Sequence, residues 1–126
     1  MSNNPPWIAI VVEDTYDDVQ LIAKILTHFG ITVHAARNGT EGLELLKSVD
    51  PTFIVTDLAM PLKDGWEMLQ AIRANVATAH IPVIAVTAYD SAAVADAAFN
   101  AGFNGYFPKP VDPMTFVQNV RAIVAP

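Results

Sequence analysis

Short apolar runs alternate along the chain with stretches whose apolar residues recur at helical spacing. The runs rich in β-branched residues predict five strands, at 8–12, 31–35, 53–56, 82–86 and 105–108. The stretches between and after them predict five helices, at 16–29, from Asn38 or Thr40 to Asp50, at 66–76, at 91–101, and from an Asp112-Pro113 cap to about 125. The helix at 91–101 is rich in alanine, so we expect it to pack weakly and to be the most mobile.

Regular alternation of strand and helix through short connections predicts a doubly wound α/β sandwich around a parallel sheet. The run at 8–12 is continuously apolar, as in a strand covered on both faces, whereas Thr32 and His34 make the second run more polar, as at an edge. These two patterns favour the flavodoxin-like (βα)5 fold with strand order 2-1-3-4-5. We expect residues 1–126 to form one domain with its core at about 7–125.

Composition excludes several classes of protein. Thirteen Asp and Glu against seven Lys and Arg give a net charge of −6, which disfavours direct binding to nucleic acid. The absence of cysteine excludes disulfides and thiolate zinc sites. No apolar run approaches the roughly 18 residues of a membrane span, and the first residues lack the pattern of a signal peptide. A cytoplasmic protein is therefore expected.

Four of the predicted strands end on polar groups. Glu13 and Asp14 follow the first strand, Asp57 the third, Thr87 the fourth and Lys109 the fifth. Because the carboxyl ends of parallel strands line one crevice, these side chains are expected to converge. Carboxylates, a hydroxyl and an ammonium at one place predict a cation-dependent phosphoryl-acceptor site.

The loop after the first strand is acidic and lacks the glycines of nucleotide-binding loops. Such a loop repels phosphate and attracts a hard cation, for which Mg²⁺ or Mn²⁺ is suited. For Glu13 and Asp14, metal binding and a solvated acidic helix start both stay open, whereas for Asp17 and Asp18 we favour the solvated helix start. Asp57 could attack a phosphoryl group to form an aspartyl phosphate where a metal offsets the repulsion between the two anions.

The order and spacing of four motifs resemble the receiver domain of two-component response regulators, over residues 7–125. These motifs are Glu13-Asp14, the 57–65 segment with Met60, Pro61 and Gly65, Thr87-Ala88, and Lys109-Pro110.

This resemblance implies that Asp57 is the phosphoacceptor. It also implies a metal bound directly by Asp14 and by a carboxylate oxygen of Asp57, through water by Glu13, and by the backbone carbonyl of Ala59. By the same resemblance, Lys109 pairs first with Asp57 and then with the phosphoryl group.

The switch residues implied by the resemblance are Thr87, whose hydroxyl bonds a phosphoryl oxygen, and Tyr106, whose ring rotates with it. Ala59 and Tyr89 occupy positions that tune the lifetime of the phosphorylated state. The peptide bond between Lys109 and Pro110 is a candidate for the cis form.

The implied partners are a histidine kinase or a histidine phosphotransfer protein as donor, and a target protein that binds the face of the fourth helix, fifth strand and fifth helix. A monomer or weak dimer is expected, which catalyses only its own phosphorylation and dephosphorylation. A phosphatase of the haloacid-dehalogenase type is the enzymatic alternative, but it needs a second acid where Ala59 stands. A flavodoxin-type redox carrier is opposed by the acidic first loop. A stand-alone regulator and a piece of a larger protein both stay open.

Overall fold

The computed structural model describes residues 6–60 and 64–125, so Pro61 lies outside the described residues. Within these ranges five strands alternate with five helices. In chain order they are β1 (Ile8–Val12), α1 (Tyr16–His28), β2 (Thr32–Ala36), α2 (Gly39–Leu45), β3 (Phe53–Asp57), α3 (Gly65–Ala74), β4 (Val83–Thr87), α4 (Ala92–Ala101), β5 (Gly105–Pro108) and α5 (Pro113–Val124).

The strands form one parallel sheet in the order β2-β1-β3-β4-β5, which confirms the predicted fold class and strand order. Every residue of β3 and β4 is buried, whereas β2 at the edge is largely accessible. In the register, Asp57 lies beside Val86 and Thr87 beside Pro108. The carboxyl ends of β3, β4 and β5 therefore meet at one edge of the sheet.

Successive strand residues point to opposite faces of the sheet, and each face has its own apolar core. On one face, β-strand residues such as Phe53 and Ile84 pack with Leu26 of α1 and Phe116 of α5. The other face packs against α2, α3 and α4, and there the side chain of Trp66 meets Phe103 edge to face at 5.5 Å between ring centres. The described helices include none long and apolar enough to cross a membrane.

Two helices end more than one residue earlier than the periodicity predicts. α2 stops at Leu45, and the chain continues in turns in which Ser48 N and Val49 N both bond the carbonyl of Leu45. α3 stops at Ala74 because the side chain of Asn75 accepts from Ala77 N at 3.0 Å, a local bond that competes with the helix. Strands β2 and β4 begin one residue later than predicted.

Side chains cap four of the described helices, α2 to α5, where the sequence places capping residues. Asn38, not Thr40, caps α2 by accepting from Glu41 N at 2.9 Å, and Asp112 caps α5 in the same way through Thr115 N. At α3, Asp64 and Glu67 form a reciprocal capping box. These bonds fix where the helices begin, and the start of α3 in turn lies against the end of β3.

Candidate functional site

The sheet places the predicted polar residues around one crevice. Asp57 is the last residue of β3 and Thr87 the last of β4, while Glu13 directly follows β1 and Lys109 directly follows β5. Backbone bonds hold the last two, with Glu13 N donating to Ala36 O and Lys109 N to Thr87 O, each at 2.9 Å. The parallel register therefore brings the four side chains to the same end of the sheet.

Three carboxylates face each other in this crevice. One oxygen from each of Glu13, Asp14 and Asp57 lies within 4.8 Å of the other two. Glu13 is fully buried and Asp57 is 9% exposed, whereas Asp14 is open to solvent. A buried cluster with one solvent-facing acid fits a hard divalent cation that keeps part of its water. Ala59 lies beside it, and its backbone N donates to Asp57 Oδ1 at 3.3 Å.

Lys109 lies against three carboxylates at once. Its Nζ is 2.7 Å from Glu13 Oε2, 2.9 Å from Asp18 Oδ2 and 3.1 Å from Asp57 Oδ2. The pair of Lys109 with Asp57 was implied by the resemblance, but the contacts with Glu13 and Asp18 were not. The ammonium is thus the single positive charge in contact with these acids among the described residues.

For Asp18 the interpretation as a solvated helix start is wrong, because its carboxylate binds Lys109 at 2.9 Å. Asp17, one residue earlier, is exposed as expected. A signal for this was present in the sequence. Asp18 stands four residues before the buried Ile22, so both lie on the face of α1 that turns toward the sheet.

Burial sets the proton affinity of the site. Loss of solvent raises the pKa of Glu13 to about 8, although the Lys109 ammonium lowers it and the Asp57 carboxylate raises it further. Neither oxygen of Glu13 has a well-aligned hydrogen-bond partner among the described residues. Burial opposes the charge of Lys109, but the nearby carboxylates of Glu13 and Asp18 outweigh this and raise the pKa of the ammonium above its usual value.

The two predicted switch residues lie on neighbouring strands, Thr87 on β4 and Tyr106 on β5. Thr87 is fully buried, and its Oγ1 accepts from Tyr89 N at 3.0 Å, which leaves the hydroxyl proton available. Tyr106 is half-buried against the core on the α3 side, and its hydroxyl donates to Asp90 Oδ1 at 2.8 Å. Tyr89 is 72% exposed. Both switch residues are therefore tied to the segment between β4 and α4.

Two backbone features shape the crevice. Gly65 begins α3 so close to β3 that a Cβ there would collide with the carbonyl oxygen of Asp57. Only a residue without a side chain lets the helix start against the strand end. The Lys109-Pro110 peptide bond is cis, which confirms the form that the resemblance implied.

The family model of the response regulator receiver domain matches residues 9–121. The chain therefore belongs to the receiver domains of two-component signalling, proteins that interact with histidine kinases and downstream targets. Its acidic pocket fits the phosphoacceptor aspartate site of that family. Membership also decides against the phosphatase and the flavodoxin-type carrier.

Among its relatives, the chain is 38% identical over 112 residues to a 14.6 kDa protein of the sodA1 3' region of Leptolyngbya boryana, covering 89% of this chain and 86% of that protein. It is 34% identical over 115 residues to the chemotaxis protein CheY of Pseudomonas aeruginosa, covering 90% and 93%. The receiver domain of Francisella response regulator 1452 superposes with a TM-score of 0.84 at 28% identity, over 94% of this chain and 96% of that one. Of some other response regulators the chain spans about half, such as 49% of one relative.

Proposed function

We propose that Asp57 accepts a phosphoryl group from a phosphohistidine donor, and that residues 1–126 act as one receiver domain. The observation that carries the proposal is the placement of Asp57, whose Oδ2 lies 3.1 Å from Lys109 Nζ beside the carboxylates of Glu13 and Asp14. The Asp57 carboxylate and a phosphoryl group are both anions and repel each other. An ammonium beside Asp57, and further acids that could hold a cation, suit a site in which these two anions must meet.

In the transfer, an Asp57 oxygen forms a bond to phosphorus while the bond from phosphorus to the donor nitrogen breaks. The electron pair of that bond stays on the imidazole, which returns to a neutral histidine. Lys109 binds the developing charge on the phosphoryl oxygens. When bound, Mg²⁺ or Mn²⁺ would offset the repulsion between the Asp57 carboxylate and the incoming phosphoryl group.

The metal would be held directly by Asp14, by a carboxylate oxygen of Asp57 and by the backbone carbonyl of Ala59, and through water by Glu13. The spacing of the three carboxylates, within 4.8 Å, supports this assignment. Burial of Glu13 supports its role as well, because a cation would compensate a charge that solvent does not reach.

The phosphorylated state is signalled through Thr87 and Tyr106. A phosphoryl oxygen accepts the Thr87 hydroxyl proton in a charge-assisted bond and draws the side chain inward, and the Tyr106 ring then moves into the space that is vacated. The bond between Tyr106 and Asp90 supports this route, because it joins the ring to the segment that Thr87 also contacts.

The donor is a histidine kinase or a histidine phosphotransfer protein, and the target binds the face made by α4, β5 and α5. Exposed apolar side chains on two of these elements support that surface, since Phe99 of α4 is 53% exposed and Met114 of α5 is 58% exposed. The domain acts as a cytoplasmic monomer or weak dimer and catalyses only its own phosphorylation and dephosphorylation.

The test is the intact mass after treatment with acetyl phosphate and Mg²⁺. We expect the parent to gain one phosphoryl group and Asp57→Asn to gain none. Asp50→Asn is the matched control, because Asp50 is an exposed acid away from the crevice and its loss should change nothing. If Asp57→Asn were modified at the rate of the parent, Asp57 would not be the acceptor.

A further inference from the structure

Asp18 is the one carboxylate on Lys109 to which the proposed function gives no role. A lysine ammonium has three N–H groups. In this site the Lys109 ammonium lies against three acids, with Asp18 at 2.9 Å closer than Asp57 at 3.1 Å. Each N–H group of the ammonium therefore has a carboxylate within reach. A phosphoryl group that binds Lys109 must displace one of these three carboxylates.

The three acids differ in how easily they can release the ammonium. The side chain of Glu13 is fully buried and that of Asp57 is 13% exposed, whereas that of Asp18 is 36% exposed. Glu13 would be left as a buried polar group without a partner, which is unfavourable. The carboxylate of Asp18 can turn into solvent and be hydrated when it leaves Lys109. Among the three, it is the partner that gives up Lys109 at the smallest cost in free energy.

Asp18 has no capping role in its own helix. It is the third residue of α1, and Thr15 at the N-cap makes no side-chain capping bond. The carboxylate instead reaches across to the loop after β5, where it draws the ammonium toward α1. Its contact with Lys109 thus joins the first helix to the phosphoacceptor site.

We propose that Asp18 is a positioning residue that holds Lys109 in the unphosphorylated state and competes with the phosphoryl group for its ammonium. The inference rests on the proposed function of Asp57. A phosphoryl group brings roughly two negative charges, so Lys109 moves to it and Asp18 is released to solvent. No covalent bond forms or breaks in this exchange.

Removal of the Asp18 charge should make phosphorylation faster. Without the Asp18 carboxylate, the Lys109 ammonium is still held by Glu13, but one of its N–H groups is free to bind the phosphoryl group. The incoming phosphoryl group also meets one fewer negative charge. The pair is partly exposed, so the effect is modest. We expect Asp18→Asn to accept phosphate from acetyl phosphate at saturating Mg²⁺ about two- to fivefold faster than the control.

Asp17→Asn is the matched control. It removes the same charge one residue earlier on α1, at an exposed side chain that does not contact Lys109. The difference between the two variants therefore isolates the contact from the general field of the acidic helix start. Asp18→Glu restores the carboxylate and should return the rate toward that of the parent.

A second readout does not depend on phosphorylation. In metal-free protein, the nitrogen chemical shift and solvent exchange of the Lys109 ammonium should change in Asp18→Asn and stay as in the parent in Asp17→Asn. Equal phosphorylation rates in the two Asn variants, or a slower rate in Asp18→Asn, would overturn the competition. An unchanged ammonium signal in Asp18→Asn would show that Asp18 does not contact Lys109 in solution. Failure of the parent to accept phosphate would instead refute the proposed function, and the ammonium signal would then decide whether Asp18 restrains Lys109.

Discussion

Helices α3 and α4 are each ten residues long and pack side by side against the same face of the sheet, yet they are held very differently. α3 buries Met68, Leu69 and Ile72 completely, whereas α4 buries only Ala98. The start of α3 also lies against the carbonyl of Asp57. Helix α3, which begins beside Asp57, is therefore fixed. Helix α4 has little buried apolar surface to resist a shift.

Under the proposed function, this difference separates the residues that accept the phosphoryl group from those that respond to it. Glu13 and Asp57 are buried at strand ends and both contact Lys109, so their geometry is preorganised. The segment between Thr87 and Ser91 is accessible after the strand end, and it carries the bonds of Thr87 with Tyr89 and of Tyr106 with Asp90. A change at the carboxylates and Lys109 can therefore move the segment between Thr87 and Ser91 while the carboxylates and Lys109 keep their arrangement.

The largest expected effect tests the packing of the two helices directly. Leu69→Ala in α3 removes a fully buried side chain and should lower the free energy of unfolding by about 3 kcal/mol. Phe99→Ala in α4 removes a larger but 53% exposed side chain and should change it by no more than about 0.5 kcal/mol. Urea denaturation of both variants measures the difference. Equal losses would show that α4 is packed as firmly as α3.

The second prediction concerns the link between the two helices. Arg73 of α3 donates to Gly102 O at the end of α4, to Asn104 Oδ1 and to Ile81 O, at 2.9, 2.8 and 2.7 Å. Arg73→Met keeps most of the apolar stem but removes the donor to Gly102 O and Ile81 O, while Asn104 Oδ1 still accepts from Val83 N at 2.9 Å. The loss of these bonds should cost about 2 kcal/mol.

Hydrogen exchange locates the consequence of that substitution. Amides near the end of α4 should exchange faster in Arg73→Met, while those in the first turn of α3, held by the Asp64 capping box, should keep their protection relative to global unfolding. Arg121→Met serves as control, because Arg121 lies on α5 on the opposite face of the sheet. A uniform loss of protection would mean that Arg73 supports the whole domain and not this link.

A third prediction probes the buried charge of Glu13 in metal-free protein. The folded state holds a proton on Glu13 up to a pH of about 8, whereas its ordinary pKa is 4.5. The folded state thus binds more protons between these values, and the parent loses stability as the pH rises from 4.5 toward 8. Glu13→Gln removes this loss and should be more stable than the parent at pH 8.5, with little difference at pH 5.

The same variant tests the metal site. Mg²⁺ should raise the melting temperature of the parent through binding to the native state, and it should do so much less in Glu13→Gln and in Asp14→Ala. Asp17→Asn is the control, since its acid lies outside the carboxylate cluster. Equal increases in all four proteins would remove Glu13 and Asp14 from the metal site.

How far the sequence could predict this structure depends on the range of the interactions. Strand order and the convergence of Asp57, Thr87 and Lys109 follow from local periodicity and from the rules of parallel sheets, and both were predictable. The ends of α2 and α3 were not, because turn bonds such as that of Asn75 compete with the helix by small energies. The contact between Asp18 and Lys109 joins residues that are 91 apart in sequence, and only the packed fold brings them together.

The last prediction concerns the response to phosphorylation and not stability: Thr87→Ala removes the hydroxyl and the methyl group of a buried side chain but leaves the strand backbone unchanged. Its consequence should lie in the response. We expect the variant to accept phosphate at Asp57, yet to give smaller amide chemical-shift changes across 88–106 than the parent, because the coupling through the hydroxyl is modest, on the order of 1–3 kcal/mol. Thr87→Ser, which keeps the hydroxyl, should respond as the parent does. A full response in Thr87→Ala would mean that the phosphoryl group reaches α4 without Thr87, and that the loosely packed helix is moved by another contact.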